Sequence, residues 1–142
     1  MNVELRWPQC EVFRSDRRFR VLVAGRRFGK TYLALVELCR AAWGSGRTVW
    51  YVAPTYKQAK RVAWRALKEM TREFWEGKPN ETDLSIRLRA GGTIALRGAD
   101  NYDSLRGEIF NRACRRLTDV RQAVVSDRII VAISGATAGP LP

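Results

Sequence analysis

Residues Val21 to Thr31, Val-Leu-Val-Ala-Gly-Arg-Arg-Phe-Gly-Lys-Thr, commit this chain to a strand, a tight loop and a helix in immediate succession. Apolar β-formers run to Ala24, and a helical pattern begins directly after Gly29-Lys30-Thr31. That order is what a phosphate-binding loop requires. Successive backbone N–H groups of Gly25, Arg26, Arg27, Phe28 and Gly29 can wrap an anionic phosphate, and the helix behind them aims its positive end at the same point. On this reading Lys30 reaches the β- and γ-phosphates of a bound nucleotide, and the Thr31 hydroxyl ligates Mg²⁺. The spacing departs from the standard one, which has glycine six residues before the lysine. Position 24 is alanine, and Gly25 stands one place late. An ordinary strand-turn-helix that ends its turn in Gly-Lys-Thr is the alternative.

The neighbouring periodicities extend the pattern into an α/β fold. A strand is predicted at about Phe19–Ala24 and a helix from about Thr31 to Trp43, stopped at Gly44-Ser45-Gly46. Thr48–Ala53 is a continuous apolar run of β-formers, as in a parallel strand buried on both faces. Strand, helix and strand make a βαβ unit, with the two strands parallel and neighbouring or nearly so. A long helix is predicted at about Tyr56–Trp75, its apolar face made by Tyr56, Ala59, Ala63, Ala66, Leu67, Met70 and Phe74. Lys57, Arg61, Arg65, Lys68 and Arg72 line its other side, either as a solvated face or as a contact for DNA. Leu84–Arg89 and Thr93–Leu96, turning at Gly91-Gly92, read as a hairpin toward the sheet edge. Trp7-Pro8-Gln9 belongs to a short segment before the first strand.

With 142 residues the chain is one domain at most. No run of 18 or more apolar residues could span a membrane, and Glu4, Arg6 and Gln9 interrupt any leader-like apolar stretch. Histidine is absent, which removes His-based triads and most zinc sites, and the three cysteines are far apart and read as reduced, buried or neutral residues. The formal charge is +12, and its excess is uneven: residues 1–71 hold 15 Lys/Arg against 5 Asp/Glu. Such a surplus beside a candidate phosphate loop suits a protein that handles polyanions.

Four stretches, in order and at suitable distances, give the chain a family resemblance. They are Pro8-Gln9, Gly25–Thr31, Tyr51–Ala59 and Asp103-Ser104-Leu105-Arg106-Gly107. Together they resemble the ATPase domain of the large subunit of tailed-phage terminases, the motors that pump DNA into a prohead. The resemblance covers most of residues 7–107. It implies an incomplete P-loop NTPase-like parallel sheet flanked by helices, with ATP and Mg²⁺ as cofactors. Gln9 falls in the family's adenine-contacting segment, although a helix cap or a surface residue would read the same. Arg26 matches the loop arginine thought to stabilise charge on the γ-phosphate in cis. Arg106 lies where related motors are proposed to offer an arginine to the neighbouring subunit's nucleotide, with a surface turn arginine as the alternative. A guanidinium fixed at either place would stabilise charge developing on the transferring phosphoryl group. The implied partners are double-stranded DNA, a portal protein, a small terminase subunit and further copies in a ring, in the cytoplasm of a bacterial host rather than in the virion.

The chain also departs from the family. A working motor needs a strand ending in Asp-Glu soon after Arg106-Gly107, the Asp for Mg²⁺ and the Glu to activate water. That dipeptide occurs nowhere in the 142 residues, and the expected place reads Arg112-Ala113-Cys114-Arg115-Arg116. Consecutive arginines do not suit a buried strand. Family-like sequence resumes at about Asp119, where Asp119–Val124 and Ser126–Ile130 resemble the helix after Walker B. A short reading-frame slip accounts for that pattern. Residues 1–112 therefore read as the N-terminal part of a terminase-like ATPase domain, and 113–142 as a degraded or divergent continuation with no nuclease domain. The expected function is an ATP-binding terminase fragment with defective catalysis. Two alternatives stand beside it: a helicase-like DNA-dependent ATPase, and a non-enzymatic basic nucleic-acid-binding protein.

Overall fold

Helix α1 (Trp7–Arg14) lies where the sequence predicts only a connecting segment. Pro8 occupies its first turn, where a missing N–H costs nothing and a fixed φ helps. Strand β1 (Phe19–Ala24) and helix α2 (Lys30–Ala42) follow as expected, flanking the loop. Strand β2 (Thr48–Ala53) completes the βαβ unit. The computed structural model describes residues 3–17, 19–25, 27–44, 46–100, 122–125 and 130–135. Arg26, Arg106, Cys114–Arg116, Asp119 and Asp127 lie outside the described residues.

The long helix is present but not uniform. It runs as α3 (Tyr56–Ala59), a π-helical turn (Lys60–Trp64), α4 (Arg65–Thr71) and a closing 3₁₀ turn (Arg72–Phe74). Thr55 caps its start, with Oγ1 accepting from the Gln58 N–H at 3.1 Å, the usual way to satisfy an orphan donor. Ala59, Ala63, Leu67 and Thr71 are all buried, a strict four-residue repeat. In a regular α-helix that repeat drifts about 40° per step around the axis. The wider π turn takes up part of this drift, which keeps the four side chains on one buried line.

Strands β3 (Ser85–Arg87) and β4 (Thr93–Gly98) form the antiparallel hairpin, and β3 is the outer strand. Ile86, Leu88 and Ile94 face the core while Arg87 and Arg89 are exposed. Arg87 pairs with Glu76 at 2.9 Å, and a short charged strand suits a sheet edge. Strand β4 lies parallel to β2, with Tyr51 opposite Leu96. The main core sits between these strands and the two helices and includes Leu35, Leu38, Val49, Tyr51, Leu67 and Leu96, each essentially inaccessible to solvent. Each such leucine contributes about 1.5–3 kcal/mol.

Two further strands, β5 (Gln122–Val125) and β6 (Ile130–Gly135), complete a six-stranded sheet in the order β1-β6-β5-β2-β4-β3. Over 122–124 and at Ile130 these strands correct the reading of Asp119–Val124 and Ser126–Ile130 as the helix following Walker B. Ala123-Val124-Val125 and the isoleucine- and valine-rich run from Ile130 are short apolar β-formers, and pairing in the sheet decides their state. Strand β6 is parallel to β1, whereas β5 is antiparallel to both β6 and β2. The two reversals cancel, so β1 and β2 run in the same direction, as the βαβ pattern requires. They are not adjacent, however, because β6 and β5 lie between them. β1 is the other outer strand. Arg20 reaches α2 from one of its faces, and on the opposite face Val21 and Val23 are 73% and 63% exposed.

Glycine is required where the hairpin meets α2. A Cβ at Gly92 would collide with the carbonyl oxygen of Ala42 in the last turn of α2. Backbone cannot yield as a side chain does, so Gly92→Ala is expected to cost about 2–3 kcal/mol. That loss should lower the thermal midpoint by roughly 10 °C. An unchanged midpoint would mean that the hairpin and helix separate freely.

Candidate phosphate-binding site

The loop between Ala24 and Lys30 takes its shape from two left-handed residues. Arg27 has φ 66° and Gly29 φ 82°, while Phe28 between them stays at negative φ. Alternating backbone signs of this kind turn successive N–H groups toward one concavity. Gly29 is the N-cap of α2, and its carbonyl accepts from the Leu33 N–H at 3.0 Å. Arg27 is a non-glycine residue in a conformation that costs about 1 kcal/mol, a cost located in the candidate loop itself. Gly25 adopts no such conformation.

Lys30 is the first residue of α2, and its side chain folds back over the loop. Its Nζ donates to the carbonyl of Ala24 at 2.8 Å and to that of Gly25 at 2.6 Å. The ammonium group therefore spans the mouth of the loop from the helix start to the strand end. Thr31 follows on the same first turn and has interactions of its own. Phosphate suits this donor set, which is a cationic Nζ at a helix N-terminus beside a left-handed glycine. For Mg²⁺ the described residues offer the Thr31 hydroxyl, and no group of three or more acidic, Cys or His residues gathers to hold a metal.

Gln9 sits behind the loop, 4% exposed, which rules out the surface reading. Its Oε1 accepts from the Arg6 N–H at 2.9 Å, a cap for α1, and its Nε2 donates to the Phe28 carbonyl at 2.7 Å. A Cβ at Gly29 would stand 2.6 Å from that same Nε2. Gly29 is thus needed both for its backbone conformation and for the room it leaves Gln9.

Sequence reasoning missed the groups that hold α1. Arg20 and Glu37 form a buried ion pair at 2.6 Å, 6% and 0% exposed at their side chains. Arg20 also donates to the Val12 carbonyl at 2.7 Å. Arg40 adds a donation to the Phe13 carbonyl at 2.8 Å, and its guanidinium lies 4.4 Å from the Phe13 ring centre. The available signal was a lone Glu inside Leu33-Ala34-Leu35-Val36-Glu37-Leu38-Cys39 and a lone Arg inside Phe19–Val23. Such charges are buried only when paired.

The basic row on the long helix is partly neutralised. Lys68 bonds Glu81 at 2.7 Å, and Arg65 pairs with Glu69 at 3.0 Å. Hydrogen bonds from Lys68 and then Trp64 hold the Glu81 carboxyl below the usual carboxylate range. Lys57, Arg61 and Arg72 remain exposed, with no ion pair among the described residues. Burial pushes the Cys39 thiol up to about 12, which makes it an inert core residue. No helix among the described residues is long and apolar enough to cross a membrane.

Residues 21–114 match the family model described as terminase large subunit, T4likevirus-type, N-terminal. Among solved structures the chain is similar to the large terminase ATPase domain of Thermus phage P74-26, at 25% identity and a TM-score of 0.53. The match covers 74% of this chain and 50% of that one, so the chain spans about half the length of the solved domain. No curated protein matches the chain.

Proposed function

Because the chain belongs to the terminase large-subunit family, we propose that it binds ATP at the loop Gly25–Thr31 and contacts DNA through its basic surface without sustaining a motor's hydrolysis. The observation that carries the nucleotide reading is the placement of Lys30, on the first turn of α2 with Nζ over the Ala24 and Gly25 carbonyls. Lys30 would exchange those bonds for β- and γ-phosphate oxygens. The backbone N–H groups of residues 25–29 would wrap the same phosphates, and the Thr31 hydroxyl would meet Mg²⁺. Within this reading Arg26 would stabilise charge at the γ-phosphate in cis, and Arg106 would serve a neighbouring copy's nucleotide. A bound nucleotide supplies the phosphoryl group, and this chain's part is to bind and orient it.

Equilibrium dialysis tests this directly. ATP with Mg²⁺ is expected to bind at least about tenfold more tightly than adenosine, since the phosphates make the charged contacts. Equal affinities would remove the phosphate loop from the account.

The proposed partner is double-stranded DNA, held through its phosphates without sequence reading, because nothing among the described elements is built to read base edges. With Lys68 and Arg65 already paired, roughly three contacts remain in the row, at Lys57, Arg61 and Arg72. The logarithm of affinity should then fall against the logarithm of salt with a slope of roughly −3. A filter-binding series measures it, and a flat line would leave the row as solvated surface. Portal protein, small subunit and ring assembly belong to the same proposal through the family.

A further inference from the structure

Helix α1 is eight residues long, too short to hold itself together in water, and its single buried residue is the polar Gln9. Its apolar residues Cys10, Val12 and Phe13 are only half-buried. An open groove of about 830 Å³ lies along it, lined by Leu5, Cys10, Phe13, Val36, Cys39 and Trp43. What reaches across is polar. Arg20 takes the Val12 carbonyl, Arg40 takes the Phe13 carbonyl, and both arginines converge on Glu37, with Arg40 Nε 3.5 Å from its second oxygen. Cations at these carbonyls also suit the negative end of the helix.

The opposite end of this arrangement is the loop. Gln9 Nε2 holds the Phe28 carbonyl, and no peptide bond among the described residues is cis. In a trans peptide the C=O and the following N–H point in opposite directions. A Phe28 carbonyl turned toward α1 therefore turns the Gly29 N–H away from it. We infer that Arg20, Glu37 and Arg40 are positioning residues: they clamp α1 so that Gln9 fixes the Phe28–Gly29 peptide plane and with it one donor of the phosphate loop. The placement stands on the structure alone, whereas its effect on affinity rests on the nucleotide reading above.

The test uses the full chain and two readouts. In Arg20→Met/Glu37→Met the buried pair becomes apolar, a replacement that folds tolerate because no charge is left unpaired. Arg40→Met removes only the outer arm of the clamp. Amide exchange at residues 27–33 should rise about tenfold in the double variant, with residues 49–53 and 94–96 unchanged. No change at 27–33 would overturn the inference. If β2 and β4 loosen as well, Arg40→Met decides: a local rise that Arg40→Lys restores supports the clamp, and none refutes it.

The second readout is titration with a fluorescent ATP analogue. Gln9→Ala and the double variant should each weaken binding about threefold to tenfold. Combining them should add no further loss, because both act through one peptide plane. Losses that multiply would show that the clamp does not act through Gln9. Equal binding by the wild type and Lys30→Ala would sink the nucleotide reading alone, and the exchange measurement would still decide the clamp.

Discussion

Lys30→Ala is expected to weaken binding of a fluorescent ATP analogue by about tenfold to a hundredfold. A charge-assisted hydrogen bond is worth about 1.5–3 kcal/mol, and the Lys30 ammonium would make its bonds at a helix N-terminus, where no other described side chain carries a cation on the first turn of α2. The substitution should leave the fold intact. The Nζ bonds only two loop carbonyls, of Ala24 and Gly25, and alanine is the best helix former for the vacated position. Thermal midpoints measured beside the titration separate lost binding from lost structure. Equal affinity in the two proteins would mean that the strand-loop-helix is only a fold element here, which favours a basic nucleic-acid-binding protein without a nucleotide.

Phosphate release with DNA and Mg²⁺ present is expected to stay about a thousandfold below that of a packaging motor. A positioned general base contributes about 10²–10⁴ to such a rate, and the chain contains no Asp-Glu pair to supply one. The strand beside β1 ends without a carboxylate, because β6 closes in Ser134-Gly135. The carboxyl end of β1 leads into the loop, and Ala24 is level with Gly135 at the end of β6. Between β6 and β2 runs β5, antiparallel to both, with Gln122 opposite Ile133. A strand so directed brings its amino end, not its carboxyl end, to the loop side. Sequencing the gene across codons 112–119 examines the cause, because an apolar-Asp reading in another frame would mark a slip. Turnover at a motor's rate would mean that a different carboxylate activates water.

The strand, loop and first helix were legible because their signals are local: a β-former run, a glycine turn and a 3.6-residue period directly after it. The hairpin was legible for the same reason, through Gly91-Gly92 and the alternation of Ile86, Arg87 and Leu88. Three features were not. Helix α1 has no buried apolar stripe to announce it, and its hold comes from arginines on β1 and α2. The insertion of β6 and β5 between β1 and β2 is a pairing between distant segments, which no local period encodes. The resemblance reads Asp119–Val124 and Ser126–Ile130 as a helix, whereas 122–125 and 130–135 are strands of largely β-branched composition. At the candidate site, Gly29, Lys30 and Thr31 form the loop end and the first turn of α2, and Gln9 caps α1 and bonds the loop.

The exposed valines of β1 set a limit on how this protein can be handled. Val21 and Val23 are exposed on a strand that is outermost among the described ones, an apolar strip at a sheet edge of the kind through which sheets stick to one another. Mutual repulsion from a formal charge of +12 keeps molecules apart at low ionic strength, and added salt shortens the reach of that repulsion. Salt therefore acts twice and in opposite senses, loosening the protein from DNA while bringing its own copies together. Colloidal behaviour and polyanion affinity share one control, so light scattering should accompany every salt series, and the usable concentration falls as the buffer strengthens.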